Sequence, residues 1–105
     1  MRVRFSVYGY EVRVIFTRDI VATARRLGEK DDVSGSSATS ITLDEHPGIG
    51  WLLFAPDPAA GNIAHESGHA IYALGKHVGT TLDEETFCYH LDHLVERIHK
   101  FLGRP

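Results

Sequence analysis

Two histidines and a glutamate carry the first chemical signal. His65 and His69 stand four residues apart, with Glu66 directly after the first, in the run His65-Glu66-Ser67-Gly68-His69. At 3.6 residues per helical turn, positions i and i+4 share a face, so both imidazoles are directed at one point. Two imidazole nitrogens at one point suit a divalent metal, Zn²⁺ above all, at about 2.0–2.1 Å each. A carboxylate one residue beyond the first ligand reaches a water beside the metal without displacing it, the position of a general base. With seven His and seven Glu in 105 residues, the bare pattern arises by chance in about three of a hundred such chains. Its surroundings strengthen it. Ile63, Ala64, Ala70 and Ile71 flank it without charge, and Ser67 and Gly68 leave room for a close neighbour. The plain alternative is an ordinary helix with two histidines in solvent or in the core.

A catalytic zinc site takes three protein ligands and keeps one position open. One familiar arrangement has a third His six residues past the second, with a Gly between. Those positions are Gly75 and Tyr72 here, so it is absent. The alternative is an acid from the next helix, Glu84 or Glu85. If Thr81 caps that helix in a T-x-x-E box, Glu84 is occupied with the cap and Glu85 is left to face the metal. Glu85 is therefore favoured and Glu84 is second, although acids in a first turn also simply suit the helix dipole. Tyr89, one turn after Glu85, shares its face and is the candidate for oxyanion stabilisation or for supporting the ligands. Packing between helices is its competing role. His77 either lines the cleft or is solvated. His90 and His93 read as a polar helix face in preference to a second metal site. Cys88 is expected to be a buried small apolar side chain.

The elements that must position these residues follow from periodicity. Val3, Phe5 and Val7, then Val12, Val14 and Phe16, alternate with polar or exposed positions around Gly9, which predicts a β-hairpin over 2–8 and 10–16. Ile20, Val21, Ala24 and Leu27 recur at helical spacing before Gly28, predicting a helix over 18–27. A polar loop over 28–38 precedes an alternating strand at 39–44. The apolar run 51–55, between Gly50 and Pro56, reads as a strand, either buried at the centre of a sheet or pairing with extended substrate backbone. The motif helix is expected over 62–75, with Asn62 as N-cap and Gly75 as stop. A long helix follows from Thr81 to about 102, with Phe87, Leu91, Leu94, Ile98 and Phe101 as its apolar stripe. The order ββαββαα describes one α+β domain over 1–105, a small sheet packed on the motif helix and a long C-terminal helix.

Composition sets the outer limits. With 43% hydrophobic and 24% charged residues, the chain is neither disordered nor fibrous. One cysteine excludes an internal disulfide framework. No run of about 18 apolar residues is present, and the N-terminus lacks the apolar core of a signal peptide, so a cytoplasmic site of action with no membrane association is the expectation. The net charge of −3 is uneven. Residues 1–30 hold seven Lys/Arg against three Asp/Glu, and the remainder four against eleven. Arg2, Arg4 and Arg13 fall on the outward face of the hairpin, where they keep a sheet hydrated. Without a basic helix or a stacking platform, nucleic acid is not an expected partner.

The segments 62–75 and 82–98 together resemble the small metallopeptidase-type proteins often encoded by bacteriophages and prophages. In that group the HExxH motif is followed by an Asp-Glu-x-x-x-Tyr element, which aligns with Glu84-Glu85-Thr86-Phe87-Cys88-Tyr89. Glu84 stands where that group usually has Asp. The chain is also similar to minimal gluzincins, single zincin-like domains with a Glu as third zinc ligand. The resemblance covers residues 62–98, about a third of the chain. It implies His65, His69 and Glu85 as Zn²⁺ ligands, Glu66 as catalytic base and a peptide or protein as substrate. The other reading is a metal-containing interaction protein on the same scaffold, which binds a host or viral partner without turning it over.

Overall fold

The computed structural model describes residues 1–79 and 82–105. Arg2–Phe5 (β1) and Tyr10–Phe16 (β2) pair antiparallel, Arg2 opposite Arg13 and Arg4 opposite Glu11. Between them Ser6–Tyr8 form a single 3-10 turn, closed by Gly9 at φ 63°. The hairpin is thus shorter on its first side than the alternation predicts. Val7, placed by that alternation with Val3 and Phe5, turns outward and is 94% exposed. The turn breaks the period of two before Val7 is reached.

Ile20–Leu27 form helix α1, two residues later than expected, because the Asp19 side chain accepts the Ala22 amide at 2.9 Å and fixes the start there. Gly28 ends it at φ 105°, as predicted. Ala38–Thr42 (β3) and Ile49–Phe54 (β4) complete the sheet. β4 lies between its neighbours, parallel to β2 and antiparallel to β3, and the strand order is β1-β2-β4-β3. The apolar run at 51–55 is therefore a buried central strand. Its backbone is occupied on both sides, so pairing of a substrate with it is excluded. The strand with an open edge beside the motif helix is β3.

Ala60–His77 form helix α2 and Glu84–Phe101 helix α3. α2 starts two residues before Asn62 and runs through Gly75, which is buried and helical. The glycine that accompanies its end is Gly79, at φ 79°, whose amide bonds the Lys76 carbonyl. The cap of α3 is Asp83, whose carboxylate accepts the Thr86 amide at 2.9 Å. That bond, with the Thr86 hydroxyl, holds the Asp83 carboxyl below its usual range. Thr81, expected as the cap, lies outside the described residues. With Asp83 capping, Glu84 and Glu85 are the first two helical positions, and both are exposed.

The sheet carries a core on each face. On one, Val3, Val12, Val14, Leu52 and Phe54 pack against Ile63, Ile71 and Leu74 of α2 and Leu94 and Ile98 of α3. On the other, α1 and Val33 cover Ile41, Trp51 and Leu53. This is why β4 is apolar on both faces: each face meets a different helix layer. The outward face of the hairpin holds Arg2, Arg4 and Arg13 around the Glu11 carboxylate, with Arg13 Nε 2.5 Å and Arg4 Nε 3.3 Å from its oxygens. The architecture is α+β, a four-stranded mixed sheet with three helices among the described residues.

Candidate metal centre

Helix α2 has three kinds of face. Ile63, Ser67, Ala70, Ile71 and Leu74 point at the core and are almost fully buried. Glu66, His69, Ala73 and the pair Lys76-His77 follow at helical spacing on one flank, with His65 and Tyr72 further out. That flank faces β3 and the β3–β4 connector across a cleft of about 700 Å³. Thr39, Ser40 and Thr42 form the opposing wall, and Asp44 and Pro47 one end. The Tyr10 ring underlies that end, 5.4 Å from the His77 ring. At the other end Asn62 Nδ2 donates to Ser37 Oγ at 3.5 Å.

At the outer edge of this flank the two motif histidines converge. His65 Nε2 and His69 Nε2 are 3.2 Å apart, and their rings stand at 80° with centroids separated by 4.8 Å. Two ligands of a tetrahedral zinc at about 2.0–2.1 Å stand about 3.3 Å apart, so the pair has the spacing of two vertices of a tetrahedral site. A Glu66 carboxylate oxygen completes a group in which all three ligand atoms lie within 4.8 Å of one another. Both imidazoles are exposed, whereas Glu66 is only 6% exposed. Among the described residues no cation pairs with the Glu66 carboxylate within 4.0 Å. The carboxylate lines the cleft beside the imidazoles, where a divalent cation held by the histidines would balance its charge. The donor set and its spacing fit Zn²⁺.

The other predicted residues are placed elsewhere. Glu85 and Glu84 are exposed in the first turn of α3 and belong neither to the His65-Glu66-His69 group nor to the cleft lining. Tyr89 is 67% exposed and also outside the cleft, so it does not pack between helices. Cys88 is exposed, against the expectation of a buried position, because the core stripe of α3 passes through Leu91, Leu94 and Ile98 instead. His77 lines the cleft. His90 is engaged by the Tyr8 hydroxyl at 3.0 Å, and both His90 and His93 set their rings edge-on to Phe5.

Tyr10, Lys76 and the β3 wall were not legible as site residues. Lys76 had a usable signal: His69, Tyr72 and Lys76 recur at i, i+3 and i+7, one helix face. Tyr10 had none, since it alternates as an ordinary core position. Among the described residues its buried hydroxyl has no hydrogen-bond partner, and burial pushes its pKa up to about 12. It sits so close beneath Gly50 that a Cβ there would lie 2.5 Å from the hydroxyl oxygen. Among the described residues no helix is long and apolar enough to cross a membrane. Comparison with protein-family models, with curated proteins and with solved structures finds no match for the chain.

Proposed function

We propose that the protein is a zinc-dependent peptidase in which His65 and His69 hold the metal and Glu66 is the general base. The reading rests on one observation: two imidazole nitrogens 3.2 Å apart with a buried carboxylate beside them. A Zn²⁺ bound there supplies a Lewis acid that polarises a carbonyl and lowers the pKa of water toward 7. Glu66 takes the proton of the attacking water as the C–O bond forms. It then delivers that proton to the departing amine nitrogen as the C–N bond breaks. Its place on the cleft lining, one residue from the first histidine, directs the carboxylate at the site beside the imidazoles. The exposed position of the imidazoles leaves access for a chain as large as a polypeptide. The open edge of β3 offers backbone donors and acceptors to an extended substrate beside the metal.

Glu85 carries no role in this mechanism, because it lies apart from the other three side chains. The site then has two protein nitrogens, fewer than the three ligands common in catalytic zinc centres. That shortfall favours a second reading, a metal-binding interaction module, in which a partner supplies the missing ligand. Glu66→Gln separates the two. On the peptidase reading, the variant keeps stoichiometric zinc by elemental analysis and loses at least about a hundredfold of its cleavage of a peptide library. Full cleavage by Glu66→Gln would remove the proposed base. Absence of cleavage by the zinc-loaded wild type leaves the binding module.

A further inference from the structure

The cleft extends well past the metal-binding histidines, and its far end has its own chemistry. Lys76 Nζ lies 5.6 Å from the centroid of the Tyr72 ring, the geometry of a cation–π contact. Among the described residues it has no carboxylate within 4.0 Å, although Asp44 lines the same end of the cleft. His77, beside it, is braced by the Tyr10 ring and lies against Gly48. An ammonium and an imidazole thus converge on a cavity whose wall is an open strand edge.

We propose that Lys76 and His77 form a carboxylate-binding subsite, so that the preferred substrate is a peptide with an acidic side chain on the N-terminal side of the cleaved bond. This rests on the peptidase reading. The position follows from the frame. Lys76 lies seven residues beyond His69, about 10 Å along the helix axis, which an extended chain covers in about three residues. The direction follows from β3. α2 and β3 run the same way, since Asn62 meets Ser37 at one end and His77 meets Gly48 at the other, Gly48 leading into β4 beside the C-terminal end of β3, where Thr42 pairs with Gly50. A peptide pairing antiparallel with β3, the more stable mode, therefore enters with its N-terminal part at Lys76. A carboxylate arriving there is an Asp or Glu side chain. A peptide pairing parallel would instead present its terminal α-carboxylate.

The test uses the zinc-loaded full chain on Thr/Val-rich decapeptides, with cleavage positions read by mass spectrometry. Binding is read by fluorescence anisotropy in the Glu66→Gln background. Peptides with one Glu two to four residues before the cleaved bond should bind about fivefold tighter than their Gln counterparts, the worth of one partly exposed ion pair. Lys76→Met should abolish that ratio, Lys76→Arg should keep it, and Asp44→Asn should raise it. Both Lys76 variants alter an exposed position, so folding is preserved. A preference for a free over an amidated carboxy terminus, lost in Lys76→Met, supports the subsite and overturns the antiparallel direction. Equal binding of Glu, Gln, free and amidated peptides overturns the subsite, even where cleavage itself persists. A Lys76-dependent carboxylate preference without cleavage by the wild type sustains the subsite and overturns the peptidase.

Discussion

The protein contains two histidine pairs on helices, and they have different fates. His65 and His69 sit four apart on α2, expose both rings and bring their Nε2 atoms to 3.2 Å. His90 and His93 sit three apart on α3 and turn to Phe5, with centroid distances of 5.4 and 6.0 Å. His90 Nε2 is occupied by the Tyr8 hydroxyl. One pair is exposed at the edge of a polar cleft, with His69 on its lining. The other closes an aromatic seam between α3 and the hairpin turn. Helical spacing brings two imidazoles to the same side in both cases. The neighbouring elements decide whether the ring nitrogens stay available or are taken up in packing.

The sharpest way to break this contrast is zinc titration. His69→Ala should weaken zinc binding by more than about a hundredfold, because it removes half of the paired nitrogens. His93→Ala should change it by less than about twofold. Glu85→Ala belongs in the same series. An effect as large as that of His69→Ala would make Glu85 a ligand after all and would require the first turn of α3 to approach α2.

The floor of the cleft gives the next largest effect. Gly50→Ala should destabilise the fold by about 2 kcal/mol, since the new methyl meets the Tyr10 hydroxyl. Tyr10→Phe alone removes a buried hydroxyl with no partner among the described residues and should stabilise by about 1 kcal/mol. In the double variant the Gly50→Ala penalty should shrink by at least half, as denaturant midpoints would report. An undiminished penalty would place the conflict elsewhere.

The aromatic seam predicts a smaller loss. His90→Ala should cost about 1 kcal/mol of stability through the broken Tyr8 bond and lost ring contact, with zinc affinity unchanged. A drop in zinc affinity would show that the two pairs are not independent.

The outward face of the hairpin, remote from both pairs, predicts the smallest effect, and it is visible in pH. The Arg13 hydrogen bond, with help from Arg4 and the charge of Arg2, holds the Glu11 carboxyl below its ordinary 4.5. A depressed folded-state value means stability that is present above the unfolded value and lost as pH falls through the folded one. Stability of the wild type should therefore decline below about pH 4.5, and Glu11→Gln should flatten that decline while starting from a slightly lower plateau. Parallel acid limbs in the two proteins would assign the decline to other carboxylates.

Much of this arrangement is readable from residue types. The alternation at Val12, Val14 and Phe16, the apolar block of β4 and the i, i+4 histidines each specify a local geometry that survives in the fold. What escaped were the features set by competition. Thr81 and Asp83, two residues apart, are both good cap types, and Asp83 captured the Thr86 amide, which moved the start of α3 and with it the first-turn acids. Val7 satisfied the strand period, but the chain had to reverse, and the turn claimed it. The partner of α2 across the cleft, β3, depends on β4 inserting beside β2. No local pattern encodes that insertion.

That insertion has a consequence for assembly. β1 and β2 are joined by a four-residue turn and can pair as soon as both exist. β4 must reach back over residues 17–48 to join β2, and only then does β3 gain its place at the rim. The slow, long-range closure thus precedes the pocket. A chain halted before residue 49 carries a finished hairpin but neither wall of the cleft, so the space beside His65, Glu66 and His69 is enclosed only after the long-range pairing of β4 has set β3 in place.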